Sequence, residues 1–188
     1  MDCTKCRTKN CRTTDSCKAQ KFDTEELMST YHLHNNQKIV QAAAILVDNG
    51  RAGTLSRLQE IVEFSKKMNF KKIGIAYCYG MERDSILINE FFKESGFKTY
   101  PVSCTTGGFK QSEINQNSEI ESVSCNPLAQ AEQINSENVD LTITIGLCLG
   151  HDILFQKQIK SYTTTLIVKD RVHNNEPIME LQNFKIHQ

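Results

Sequence analysis

No excess of either charge marks this sequence: 22 lysines and arginines balance 22 aspartates and glutamates. A chain without a basic surplus has no global electrostatic pull toward nucleic acid. It also lacks any run near the roughly 18 apolar residues needed to span a bilayer. The opening Met-Asp-Cys carries no apolar segment of roughly 7–15 residues, which argues against a secretory signal. These absences point to a cytoplasmic chain with neither a nucleic-acid nor a membrane partner. The hydrophobic fraction is modest at 39%, yet 188 residues suffice for a real core, expected as one domain with an appendage.

What the sequence does have is eight cysteines, and a reducing cytosol disfavours structural disulfides. Cys3, Cys6, Cys11 and Cys17 crowd the start, whereas Cys78, Cys104, Cys125 and Cys148 are spread through the rest. Residues 1–21 hold almost nothing apolar besides their cysteines, so they order only if something else holds them. The spacing C-x2-C-x4-C-x5-C suits one ion or cluster wrapped by a tight loop. Four thiolates bind structural zinc or an iron–sulfur cluster equally well. The spacing departs from the two separated CxxC pairs usual for zinc, and its opening is like cluster-binding segments. Six basic residues (Lys5, Arg7, Lys9, Arg12, Lys18, Lys21) would offset the negative centre. The bland alternative is a disordered basic tail. A nucleic-acid-binding knuckle is disfavoured because the tip has no aromatic residue for base stacking.

Periodicity then predicts helices over "DTEELMSTY", with Asp23 as N-cap and Glu26 three residues on, and over "NQKIVQAAAILVDNG" and "TLSRLQEIVEFSKKMNF". From residue 72 short apolar runs alternate with helical patterns. "KIGIAYC", "KTYPVSC", "DLTITIGLC" and "TTTLIVKD" read as strands. "ERDSILINEFFKESG", "CNPLAQAEQIN" and "LGHDILFQKQI" read as helices, and a last amphipathic segment "EPIMELQNF" closes the chain. The expected fold is α/β: a small three-layer domain with about four parallel strands, preceded by helices and a cysteine-rich N-terminal tip. Three parts are expected: a metal-binding tip over residues 1–21, a helical lead over 22–70 packed on the core, and the α/β domain over 71–188.

Ligands bind open α/β sheets outside the carboxyl ends of the strands. Cys78, Cys104 and Cys148 each fall at such an end, and Cys125 opens a helix that should begin at the same edge, with Pro127 in its first turn. Helix N-termini there lower thiol pKa values. Four thiols at equivalent topological positions therefore predict a second four-cysteine site. Unrelated core cysteines are the plainer alternative, since a buried Cys behaves as a small hydrophobe. A third reading makes Cys148 a nucleophile with His151 one turn on and Asp152 orienting it. Lys169 and Asp170, after the last strand, are candidate supporting residues at the same edge. The polar stretch Thr105–Ser124 is long enough to be a lid.

The segments "GIAYCYGM", "CNPLAQAEQIN", "IGLCLGHDILFQK" and "TTLIVKDRV", with the cysteine-rich start, resemble the bacterial and archaeal family catalogued as domain of unknown function 1847. The resemblance covers nearly the whole chain and implies thiolate metal binding at both cysteine groups, without naming a reaction. "VHNNEPI" departs from the family pattern at Asn174 and Asn175, so the resemblance assigns His173 no role. The expectation is a metal-binding protein, redox-active or carrying an iron–sulfur cluster, with a redox partner protein or a small-molecule ligand. The competing expectations are a zinc-stabilised small-ligand or regulatory module and a thiol enzyme.

Overall fold

The computed structural model describes residues 2–13, 17 and 20–183. The chain forms two compact units, residues 1–44 and 45–188. In the first, Asp23 caps α1 (Thr24–Tyr31) by accepting the N–H groups of Glu25 and Glu26 at 2.8 and 3.1 Å. This is how a short carboxylate satisfies orphan donors of a first turn. Helix α2 (His34–Val47) starts two residues before the expected "NQK" and ends before Gly50, where Asn49 turns left-handed. The division at 44/45 assigns α3 (Arg57–Lys67) to the larger unit, where the reading of the sequence grouped it with the helical lead. Ser56 and Gln59 cap α3 reciprocally, and Leu58, Ile61 and Val62 lie against the core.

The larger unit continues as β1 (Lys72–Tyr77), α4 (Glu82–Glu94), β2 (Lys98–Ser103), α5 (Gln111–Ile114), α6 (Pro127–Asn135), β3 (Leu141–Ile145), α7 (Leu149–Gln158) and β4 (Tyr162–Ile167). All four strands are parallel, in the order β2-β1-β3-β4. The sequence expectation of a small α/β domain on about four parallel strands holds. The period of two in each strand divides the core. Ile73, Ile75, Leu141, Ile143 and Ile145 face α3 and α4, with Phe92 and Ile88 beneath them. Ala76, Cys78 and Cys104 face the other way, among Ala131 and Ile134 of α6 and Phe155 of α7. Between the layers, Gly74 lets α6 approach closely: a Cβ there would stand 2.6 Å from Ile134 Cγ2 and 2.9 Å from Thr142 Oγ1.

The amino ends of β1 and β3 are locked by one side chain. Asp140 Oδ2 accepts the N–H groups of Lys71 and Lys72 at 2.7 and 2.8 Å. Asp140→Ala leaves both donors without that partner and is expected to cost about 1–3 kcal/mol, the usual penalty for such a loss. Urea denaturation checks it, and a midpoint equal to wild type would refute the clamp.

The polar stretch 105–124 has structure of its own, with α5 and an antiparallel bridge between Lys110 and Val123. The closing segment is a 3-10 helix, Pro177–Asn183. Residue 184, its expected end, lies outside the described residues. No helix among them is long and apolar enough to cross a membrane.

Candidate metal centre at the carboxyl edge of the sheet

Strand β1 is followed by β2 on one side and, later, by β3 on the other. The chain therefore reverses its direction of travel between β1 and β3. That topological switch opens a crevice at the carboxyl ends, the usual place for a ligand in this architecture. Cys78 and Cys104 each lie one residue past a strand end. The register Tyr77↔Ser103 makes them neighbours in the next row. The Cys78 N–H still bonds to the Ile145 carbonyl at 3.0 Å, which ties it to β3 as well.

Cys148 arrives differently from what the apolar run "DLTITIGLC" suggested. Strand β3 stops at Ile145, and Gly146 takes φ +59. A Cβ at Gly146 would run into the Met81 sulfur, so both the backbone turn and the lack of a side chain are required there. Leu147 is buried and Cys148 becomes the N-cap of α7. Cys125 precedes Asn126, which caps α6 through Ala129 N–H and donates its own N–H to the Cys104 carbonyl at 2.6 Å.

Two of the four thiols then meet. Cys104 and Cys125 have their Sγ atoms 3.4 Å apart, and the Tyr79 N–H donates to Cys104 Sγ at 3.4 Å. Lys169 Nζ stands 3.7 Å from Cys78 Sγ. Arg171 Nη2 donates to Cys148 Sγ at 3.0 Å. Burial pushes the Cys104 thiol up to about 12, with the neighbouring thiols Cys125 and Cys78 adding to the rise and the Tyr79 N–H opposing it. Burial also raises Cys125, and the thiols of Cys148 and Cys78 raise it further, whereas contact with Cys104 and the charge of Arg171 lower it. Between the ordinary thiol value of 9.0 and about 12, folded Cys104 keeps a proton that the unfolded chain releases, so stability falls as pH rises through that window.

The other residues singled out in the sequence divide. Lys169 is at the thiols, and it shares a cavity of about 100 Å³ with Asp152, Thr144 and Ile167. The Asp152 Oδ1 atom is buried there without a hydrogen-bond partner. His151 is half-buried; burial, then the charge of Arg171, holds its imidazole below the usual value, so it is neutral at neutral pH. No hydrogen bond joins it to Cys148; Arg171 reaches that sulfur. Asp170 works on the loop rather than on a thiol. It accepts the N–H groups of Val172 and His173 at 2.8 and 2.9 Å and meets His173 Nδ1 at 3.3 Å. Those two N–H bonds, His173 first, hold its carboxyl below the usual range. The turn they fold carries Arg171 and directly follows Lys169.

Two side chains that shape the candidate site escaped the reading of the sequence. Arg171 gives no signal, since a basic residue after a strand is an ordinary solvated end. Gln130 is the other: buried in α6, it donates to the carbonyls of Tyr77 and Val102 at 3.1 and 2.8 Å and so seats the helix on β1 and β2. A glutamine in a helix is unremarkable by pattern.

At the tip, Cys3 lies in a 3-10 turn, Cys3–Lys5, and Cys11 in a second, Asn10–Arg12. Cys6 Sγ accepts the Lys9 N–H at 3.4 Å and meets the Thr8 hydroxyl at 3.8 Å, and the Lys9 bond leads in holding its thiol below the ordinary value. Cys17 is half-buried; residues 14–16, 18 and 19 lie outside the described set.

Among the described residues, no three His, Cys, Asp or Glu side chains are gathered as a metal-ligand group. The core pair nonetheless suits adjacent positions on one ion. Tetrahedral thiolates at about 2.3 Å from a metal stand about 3.8 Å from each other, close to the 3.4 Å of Cys104 and Cys125. The donors are soft, and Tyr79 N–H, Lys169 and Arg171 are the hydrogen-bonding and cationic surroundings that thiolate centres use.

A family model described as a protein of unknown function, DUF1847, matches residues 14–166. That span holds Cys17 and all four core cysteines and stops short of Lys169 and Arg171. An uncharacterised protein of Methanocaldococcus jannaschii, MJ0455, is 42% identical over 181 residues, covering 93% of this chain and 91% of its own. No solved structure matches the chain. With most of its length matched by the family model and a close full-length relative, the chain belongs to the DUF1847 family.

Proposed function

We propose that Cys78, Cys104, Cys125 and Cys148 hold a thiolate-bound metal at the switch point, that Cys3, Cys6, Cys11 and Cys17 hold a second, and that the protein is a redox carrier of iron–sulfur type. The observation that carries this is the contact of Cys104 and Cys125 at 3.4 Å in a buried layer, with Cys78 beside Cys104 in register. Both donor sets are all-sulfur, which favours a cluster as readily as zinc. Lys169 and Arg171 offset the negative charge of a four-thiolate centre, and hydrogen bonds to its sulfurs tune the potential. A bound metal supplies the electron-transfer chemistry. The chain's own residues supply ligands, positive charge and, through α6 and α7, partial exclusion of water. We read the protein as cytoplasmic, where eight thiols stay reduced, serving a redox partner protein or a small ligand. Metal and acid-labile sulfide content of protein purified without oxygen, with its visible spectrum, test the proposal. Iron with sulfide supports it. Zinc alone, without sulfide or colour, replaces it with a zinc-stabilised binding module.

The Arg171 contact favours a second reading, a thiol enzyme in which Arg171 holds the Cys148 sulfur in place and neutral His151 moves a proton. On that reading Arg171→Met changes the rate of Cys148 alkylation by iodoacetamide, because the side chain that contacts the sulfur at 3.0 Å is gone. An unchanged rate rejects the cation's role.

A further inference from the structure

Cys104 and Cys125 have a second property that does not depend on a metal. Their sulfurs are brought to 3.4 Å by backbone, not by side-chain freedom. The Asn126 N–H, next to Cys125, is bound to the Cys104 carbonyl at 2.6 Å, and the Cys104 N–H to the Tyr77 carbonyl at 2.9 Å. Gln130 ties the helix after Cys125 to the strands before Cys78 and Cys104. The intervening segment is already closed on itself by the Lys110–Val123 bridge and by the Ser124 N–H on the Phe109 carbonyl at 2.8 Å. A disulfide at about 2.05 Å would therefore need each sulfur to move only about 0.7 Å. Access is asymmetric: Cys104 is 2% exposed, whereas Cys125 is half-buried.

We propose that Cys104 and Cys125 are a reversible thiol–disulfide pair that reacts with small disulfides. Cys125, the accessible member, loses its proton to solvent and attacks one sulfur of the external disulfide. The reagent's S–S bond breaks, one half leaves as a thiolate, and Cys125 carries the other half as a mixed disulfide. Cys104 then gives up its proton and attacks Cys125 Sγ, releasing the second half. The two protons end on the two released thiolates. Two electrons have passed from the chain to the reagent, which leaves as two thiols. The closed pair withdraws two of the four core sulfurs from any metal. That consequence rests on the metal-centre reading; the disulfide itself does not.

The test uses full-length protein reduced, freed of metal by chelation and incubated with oxidised glutathione. Cleavage after lysine and glutamate separates the peptides of Cys104, Cys125 and Cys148, and mass spectrometry reads the linkage. The expected product is the Cys104–Cys125 linked pair, two thiols lost from the core and no glutathione retained there, all reversed by a dithiol. Cys148→Ser should form the same linkage, and Cys104→Ala should stop at glutathione on Cys125. Glutathione that persists on Cys125 of the wild type, or linkage of Cys125 to Cys78 or Cys148 instead, overturns the pair. The readout is made without metal, so even a chain that binds none either forms the pair or refutes it, and metal content of the reduced protein is judged separately.

Discussion

On the metal-centre reading proposed above, Cys104→Ala is expected to lose the core metal entirely while the tip keeps its own. Cys104 lies in the sulfur contact with Cys125, accepts the Tyr79 N–H and neighbours Cys78 in register. Its removal takes away one ligand and disorders the approach of a second. Alanine is the right replacement because it removes the sulfur without supplying another polar ligand atom, and it suits a site buried among apolar side chains. Loss of packing must be separated from loss of a ligand, and thermal stability with and without metal does so. On that reading, at metal concentrations about 100-fold above the dissociation constant, wild type should gain about 2.7 kcal/mol from core occupancy. The variant should gain only what the tip contributes, and its metal-free stability should lie within about 1–2 kcal/mol of metal-free wild type, the range for deleting one buried group. A variant with the full metal content and the full metal-dependent gain would show that Cys104 is a packing residue. A control with Cys3 and Cys6 both replaced by alanine should show the reverse pattern.

The second large effect concerns the fold that carries the site. Phe92→Ala should cost about 3–5 kcal/mol, a large share of the roughly 5–15 kcal/mol that holds a domain folded. Phe92 is 0% exposed and makes edge-to-face contacts with Phe91 and Phe97, at ring-centre distances of 5.5 and 6.4 Å. It packs under the Ile-rich face of β1 and β3. Leu87, on the same helix, is 65% exposed, and Leu87→Ala should change stability by under about 0.5 kcal/mol. Urea unfolding of the two variants gives the comparison. A Phe92→Ala midpoint as high as that of Leu87→Ala would mean that this layer relaxes around the hole and contributes little.

That contrast also marks how far the sequence could be read. The apolar spacing of "SILINEFF" predicted a helix ending near Gly96, and the structure has it, with Gly96 at φ +95 just past the end. The strands before Cys78 and Cys104 were legible to within one residue: β1 is a short run buried along its middle, and β2, a half-exposed edge strand, carries the strand-forming residues Thr99, Tyr100 and Val102 after the helix stop at Gly96. The end of β3 was not legible. "TITIGLC" is continuous in hydrophobicity, and only the Met81 sulfur against Gly146 reveals that the chain turns there. Local propensity does not register a neighbour some 65 residues away.

The sequence by itself determined the class of fold, the helix cap at Asp23, and the delivery of four cysteines to the carboxyl edge. Each follows from chemistry that acts over a few residues: hydrophobic period, capping geometry, and the obligatory run of a parallel crossover. The tertiary structure alone decided which thiols touch and what touches them. Cys104 meets Cys125, while Arg171 and Lys169 take Cys148 and Cys78, and Gln130 pins the helix that sets the spacing. These contacts join positions 21 to 91 residues apart. They depend on strand order and helix seating, which a linear pattern does not encode, because parallel strands of similar composition can be ordered in more than one way and only their side-chain packing selects among them.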